Sequence, residues 1–193
     1  MKLRNKNLKI LKSNHVYSEE MEHDACGVGL VASTEGLKSR KVVEYGIDAL
    51  KAVWHRGAID ADGKTGDGAG IHIEIPKDFF EEKIEVTGHK HDNSELCVGM
   101  IFLPRNDYSA QEQCRTIVES ELTKRNFSIY GWRQVPVDPS VLGEKAEQTR
   151  PEITQVLFTY NDKKVVNKSL EQKLYETRRV IEKEALNLSL IHI

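Results

Sequence analysis

Apolar residues recur on two different periods along this chain, and the switches between them lay out an order of elements. Residues 1–25 follow neither period: they are polar, show no core face, and read as a leader that precedes the fold. At Cys26 the character changes to a small, apolar, strand-like run that ends near Ala32. In SRKVVEYGIDALKAVWHRG, the residues Val43, Ile47, Leu50 and Trp54 recur at steps of four, three and four, one face of a helix with Ser39 as its cap. A glycine-rich loop follows from Gly57 to Gly70. Ile71, Ile73 and Ile75 alternate with His72 and Glu74, the signature of a half-buried strand, which Pro76 ends.

The second half continues in the same way. A short helix is predicted around Asp78 to Ile84, a polar loop over Gly88 to Glu95, and a buried strand over Leu96 to Leu103. Ser109-x-x-Glu112 has capping-box spacing and opens a helix to about Arg125. Phe127 to Val135 reads as a strand, then a loop holds Pro136 and Pro139. Gln155 to Tyr160 reads as a strand and Ser169 to Leu186 as a long helix. Strands and helices are both well represented, so the fold class is α+β.

Composition narrows the picture without changing it. The chain has 193 residues, 39% hydrophobic and 30% charged, enough for one sizeable domain with a core. A net charge of −2 leaves no nucleic-acid footprint. No apolar run approaches the roughly 18 residues that span a membrane, and no h-region follows the basic head MKLRNKNLKILK. Cys26, Cys97 and Cys114 are too scattered for a disulfide framework or a metal knuckle, so no metal site is expected and a reducing cytoplasm is the expected compartment.

Three motifs invite a cofactor reading and fail it. Gly27-x-Gly29-x-x-Ala32 has dinucleotide spacing, but the residues before it, SEEMEHDA, are not a strand. Gly63-Lys64-Thr65 ends like a phosphate loop, yet the glycine required five residues earlier is Ala58. Asp60-x-Asp62 starts like a calcium loop, but Lys64 and Ile71 occupy ligand positions. The bland reading of this loop is a tight turn whose glycines permit positive φ and close backbone approach.

Cys26 carries the strongest chemistry. A cysteine beside Gly and Val is ordinarily a small core hydrophobe. Here it stands at the junction of leader and first strand, after Ala25. Removing residues 1–25 would leave a thiol and a free α-amine on one residue. The thiolate is the nucleophile, and an α-amine with a pKa of about 7.7–8.0 exchanges protons near neutrality. Nucleophile and base in one residue satisfy the logic of an activated N-terminal nucleophile.

Cys26-Gly27-Val28-Gly29, then Trp54-His55-Arg56-Gly57-Ala58, then Ala61-Asp62-Gly63-Lys64-Thr65-Gly66-Asp67-Gly68-Ala69-Gly70 resemble the glutamate synthase large subunit. More narrowly, they resemble its N-terminal class II glutamine amidotransferase domain, from about His23 to about Leu186. The resemblance implies a four-layer αββα N-terminal-nucleophile hydrolase sandwich, incomplete at the C-terminus. It implies Cys26 as the catalytic nucleophile, Arg56 and Gly57 as residues that position the nucleophile or glutamine, and Asp67 and Gly68 as the site wall. His55 is left without a catalytic role because the α-amine serves as base. Gly27 and Gly29 are expected to keep the first strand slim. The family's oxyanion-hole Asn-Gly pair and its glutamine-gripping residues lie later than Ile193, so a fragment of this extent is expected to be inactive by itself.

The implied reaction is glutamine hydrolysis, with ammonia passed to 2-oxoglutarate in downstream synthase domains of the same chain. FMN and an iron–sulfur cluster are implied for the full-length enzyme and none for this fragment, with a small electron-donating subunit as a further partner. Another class II amidotransferase with a different ammonia acceptor, or a non-catalytic amino-acid-binding module, would share the fold. The domain is expected over residues 26–187. One reverse translation of LSLIHI, residues 188–193, resembles a transposon-end sequencing adapter, so these residues are expected to be foreign to the natural chain.

Overall fold

The computed structural model describes residues 27–53, 59–66, 68–92, 94–161 and 169–187. The elements in order are α1 (Arg40–Ala52), α2 (Lys77–Val86), β1 (Leu96–Leu103), α3 (Tyr108–Lys124), β2 (Phe127–Gln134), a 3-10 turn (Pro139–Val141), α4 (Glu144–Thr149), β3 (Glu152–Tyr160) and α5 (Ser169–Asn187). The described residues fall into two compact units. One holds 27–53 with Ala69–Ile71; the other holds the remainder.

In the first unit, α1 begins where its cap predicts. The Ser39 hydroxyl accepts the Lys41 amide at 3.2 Å, satisfying one donor of the first turn. Val43, Ile47 and Leu50 are half-buried along one face, and the exposed pair Arg40–Glu44 lies on the outer side at 3.3 Å. The strand expected before α1 does not form: residues 27–33 are unpaired, with Val28 and Leu30 exposed.

The second unit is built on a three-stranded antiparallel sheet in the order β1-β3-β2. Strands β1 and β2 each run antiparallel to β3, so they are parallel to one another with β3 between them. Helix α3 makes the crossover that such a parallel pair needs. Both neighbours of β3 are therefore in place, and residues Thr154 to Thr159 are all buried.

Alternation sorts the sheet residues to two faces. Cys97, Phe127, Val156 and Phe158 pack with Val118 and Leu122 of α3 and Ile181 of α5. Leu96, Tyr130 and Leu157 point the other way and receive Phe80 and Ile84 of α2. Phe127 meets Phe158 edge to face at 5.4 Å between ring centres, the geometry the ring quadrupoles favour. Beyond α2, Met100 and Phe102 stay partly exposed on that second face. The described α+β architecture thus contains one antiparallel sheet of the sandwich.

A bulge between Ile129 and Gly131 fits α2 to the sheet. Gly131 takes φ 151°, and a Cβ there would stand 2.9 Å from Thr87 Cγ2. Only glycine satisfies both conditions. The Thr87 hydroxyl, just after α2, lies 2.9 Å from the Tyr130 carbonyl.

Three local expectations need correction. Residues 69–76 form no ladder, although Ile71, Ile73 and Ile75 alternate as a strand would. Alternation marks a pleated surface, but a strand also needs a neighbour to bond to, and none of the described residues provides one. Helix α3 is capped by Asp107, whose carboxylate accepts the Ala110 amide at 2.9 Å, rather than by Ser109. Asp107 lies just before the first helical residue, where a side-chain oxygen reaches that orphan amide, while Ser109 lies inside the helix. Helix α4 falls within a stretch expected to be loop; its six residues, EKAEQT, carry no apolar period.

Glu121, near the end of α3, is nearly buried and is held by Lys124 at 2.6 Å and by Arg125. The hydrogen bond from Lys124, then that from Arg125, keeps its carboxyl below the ordinary glutamate range. A depressed folded pKa contributes stability that is present above the unfolded value and lost as pH falls through the folded one. The stability gap between the native chain and Glu121→Gln is therefore expected to be full at neutral pH and to close under acid. Urea midpoints of both proteins near pH 7 and about pH 3 check this; a gap that widens toward acid would contradict the assignment.

Candidate functional site

Cys26, His55, Arg56, Gly57 and Asp67 lie outside the described residues, as do the leader and residues 188–193. Gly68 is described and exposed, with open space where a Cβ would sit. Gly27 and Gly29 also face open space among the described residues, so the expected close approach of neighbouring backbone is not seen there.

The loop between these positions is sharply defined. Ile59 and Gly66 form an antiparallel bridge, and the Asp60 amide donates to the Thr65 carbonyl at 2.7 Å. The Gly63 amide donates to the Asp60 carbonyl at 2.9 Å, and Gly63 takes φ 70°. This is the left-handed conformation that favours glycine, so the turn reading of the sequence holds at this position.

Asp62 organises the turn from inside. Its Oδ1 accepts the Thr65 amide at 2.7 Å and the Lys64 amide at 3.0 Å, and its Oδ2 accepts the Thr65 hydroxyl. Thr65's hydroxyl, followed by the two amides, holds the carboxyl far below the usual carboxylate range. Amides that a phosphate loop would turn toward its ligand are here spent on the loop's own carboxylate. That is the physical reason the Gly-Lys-Thr sequence does not act as a phosphate cradle.

A segment distant in sequence grips this turn. Lys145 Nζ reaches Asp60 Oδ1 at 2.8 Å and Oδ2 at 2.7 Å, and the Ala146 amide donates to Thr65 Oγ1 at 3.4 Å. The sequence assigns no functional role to Gly143 or Lys145, although Gly143-Glu144 lies in a segment that shares the family resemblance. Their significance lies in a contact between distant segments, for which a single sequence carries no local signal.

The remaining cysteines do not compete for the chemistry. Cys97 and Cys114 are buried free thiols. Burial, then the charges of Glu95 and Glu171, push the Cys97 thiol up to about 12. Among the described residues no group of three or more His, Cys, Asp or Glu side chains gathers to hold a metal, so these residues do not fit an iron–sulfur cluster. No helix among them is long and apolar enough to cross a membrane.

An α+β unit and a self-bonded glycine loop define a class once the chain is compared with known proteins. Residues 26–192 match the family described as glutamine amidotransferases class-II, and the chain belongs to that family. It is 53% identical over 177 residues to the glutamate synthase (NADPH) large chain of Azospirillum brasilense, covering 92% of this chain and 12% of that protein. It is 36% identical to the ferredoxin-dependent glutamate synthase of Pyropia yezoensis, covering 91% of this chain and 11% of that one. Ferredoxin-dependent glutamate synthase 2, chloroplastic, of Arabidopsis thaliana is 37% identical, with 90% and 11% covered. The chain thus spans only 11–12% of the length of these relatives.

Proposed function

We propose that this chain supplies the glutaminase half of a glutamate synthase, acting through Cys26 as an N-terminal nucleophile. The observation that carries the reading is that the family match opens at Cys26, where leader gives way to fold in the sequence. Similarity to glutamate synthases with two different named electron donors supports the synthase assignment.

In this reading, cleavage between Ala25 and Cys26 frees the α-amine. The amine takes the thiol proton, and the thiolate attacks the side-chain carbonyl carbon of glutamine. As the tetrahedral intermediate collapses, the C–N bond breaks and the ammonium group returns its proton to the leaving nitrogen. Ammonia departs and a γ-glutamyl thioester remains. Water, deprotonated by the same amine, attacks the thioester; the C–S bond breaks, glutamate leaves and the thiol is restored. Arg56 and Gly57 position the nucleophile or the substrate, and Asp67 with Gly68 forms the wall.

Ammonia then passes to 2-oxoglutarate in the remaining length of the enzyme. Flavin and an iron–sulfur cluster would serve the reductive step there, with a small electron-donating subunit as a further partner. A reducing compartment such as the cytoplasm suits a free thiol nucleophile.

A diazoketone analogue of glutamine tests the nucleophile in the full-length protein. Intact mass spectrometry is expected to find a mature chain beginning at Cys26, with one adduct on that residue. A chain that keeps Met1 and turns over glutamine at full rate, or an adduct on another residue, would refute the proposal.

A further inference from the structure

We infer that Gly143 and Lys145 are positioning residues for glutamine hydrolysis, holding the Asp60–Gly66 turn in the register from which the chain continues into Asp67 and Gly68. The inference rests on the proposed role of those two residues as the wall of the glutaminase site.

Gly143 is the centre of the argument. Its backbone, at φ −76° and ψ 164°, suits any amino acid, so conformation does not require glycine. Space does. A Cβ at this position would stand inside 3.0 Å of Thr65 Oγ1, Asp62 Oδ2 and the Thr65 backbone nitrogen. None of the three can yield by a simple side-chain rotation. Thr65 Oγ1 and Asp62 Oδ2 are bonded to each other, and the third atom is backbone, itself bonded to Asp62 Oδ1. Adding one methyl group therefore displaces the turn as a whole.

Lys145 supplies the second hold. Its ammonium bridges both oxygens of Asp60 at the start of the turn, while Gly143 and Ala146 meet Thr65 at its end. The turn is fastened at both limbs. Gly66 is bridged to Ile59, and Asp67 follows immediately in the chain. A shift of the turn is thereby carried into the segment proposed as the site wall.

The groups present suit holding, not proton transfer. Asp62 is occupied by the Lys64 and Thr65 groups of its own loop and by the Lys145 backbone amide, and Asp60 is paired with the Lys145 side chain. The other charges on these segments, Lys64 and Glu144, are exposed. Displacing a site wall by about 1 Å is enough to weaken substrate handling by one to two orders of magnitude.

The test uses the full-length enzyme with steady-state kinetics on glutamine and, separately, on ammonia. Gly143→Ala is expected to lower glutamine-dependent kcat/KM at least about tenfold, mainly through KM, with ammonia-dependent turnover unchanged. Lys145→Asp and Asp60→Lys are each expected to raise KM for glutamine. The double exchange, which restores the ion pair, is expected to return it to within about twofold of the native enzyme. If Gly143→Ala does not accumulate as folded protein, the exposed Lys145 and Asp60 variants decide the matter. Unchanged KM in those variants, or a double exchange no better than the singles, would overturn the inference. Loss of the proposed function itself gives a different result: Cys26→Ala would then retain glutamine turnover, whatever the clamp variants do.

Discussion

Cys26→Ala in the full-length protein is expected to abolish glutamine-dependent glutamate formation while ammonia-dependent formation stays near the native level. The predicted loss is about 10⁴-fold or more in glutamine-dependent kcat, the scale on which removal of an attacking group acts. Neither of the other two thiols in residues 1–193 can substitute. Cys97 is 4% exposed and burial pushes its thiol up to about 12, so near pH 7 it stays the un-ionised, weakly nucleophilic thiol. Cys114 is also buried, and its thiol is raised by burial and then by Asp107. Ammonia bypasses the thioester altogether, so the synthase half should not notice the substitution. Blocking removal of residues 1–25 should give the same pattern, because the amine would remain an amide. Parallel assays with glutamine and with ammonium settle the point, and glutamine turnover within tenfold of native in Cys26→Ala would remove Cys26 from the mechanism.

What could be read from sequence divides by the range of the interaction that enforces it. The cap and apolar face of α1 were legible because Ser39, Val43, Ile47 and Leu50 act within single turns. All of β1 was legible, since Leu96 to Leu103 is a bounded run with no competing helical period. The order β1-β3-β2 was not, because strand pairing is chosen by partners far away in the chain. Ile71 to Ile75 shows the converse error: the local pattern is clear, and the expected partner is missing among the described residues. Helix α4 escaped because a six-residue element has too little period to detect. In the site, Gly63 could be assigned to a turn from its neighbours, whereas Gly143 needed Asp62 and Thr65 to be placed against it. The family signature, from Cys26 through Gly70, was legible because its spacing is specific even where no geometry is described.

Leu157→Ala is expected to cost about 3–5 kcal/mol of stability, the upper half of the range for emptying a leucine site in a core. Leu157 is completely buried on β3, where it packs among Phe80, Ile84, Leu96 and Tyr130. The site has little freedom to collapse. β3 is paired from Glu152 to Thr159 with β1, and the bulge at Ile129/Gly131 pins its register with β2. Sliding the strand to close the cavity would break one ladder or exchange the two faces of the sheet. Helix α2 could move inward only by giving up the fit of Thr87 beside Gly131. Met100→Ala serves as the control, because Met100 lies on the same face of the sheet but is 49% exposed, and its truncation is expected to cost about 1 kcal/mol or less. Urea unfolding followed by circular dichroism compares the two variants directly. Equal losses would mean that α2 does not close the face of the sheet over Leu157, since burial beneath that helix is what separates the two positions.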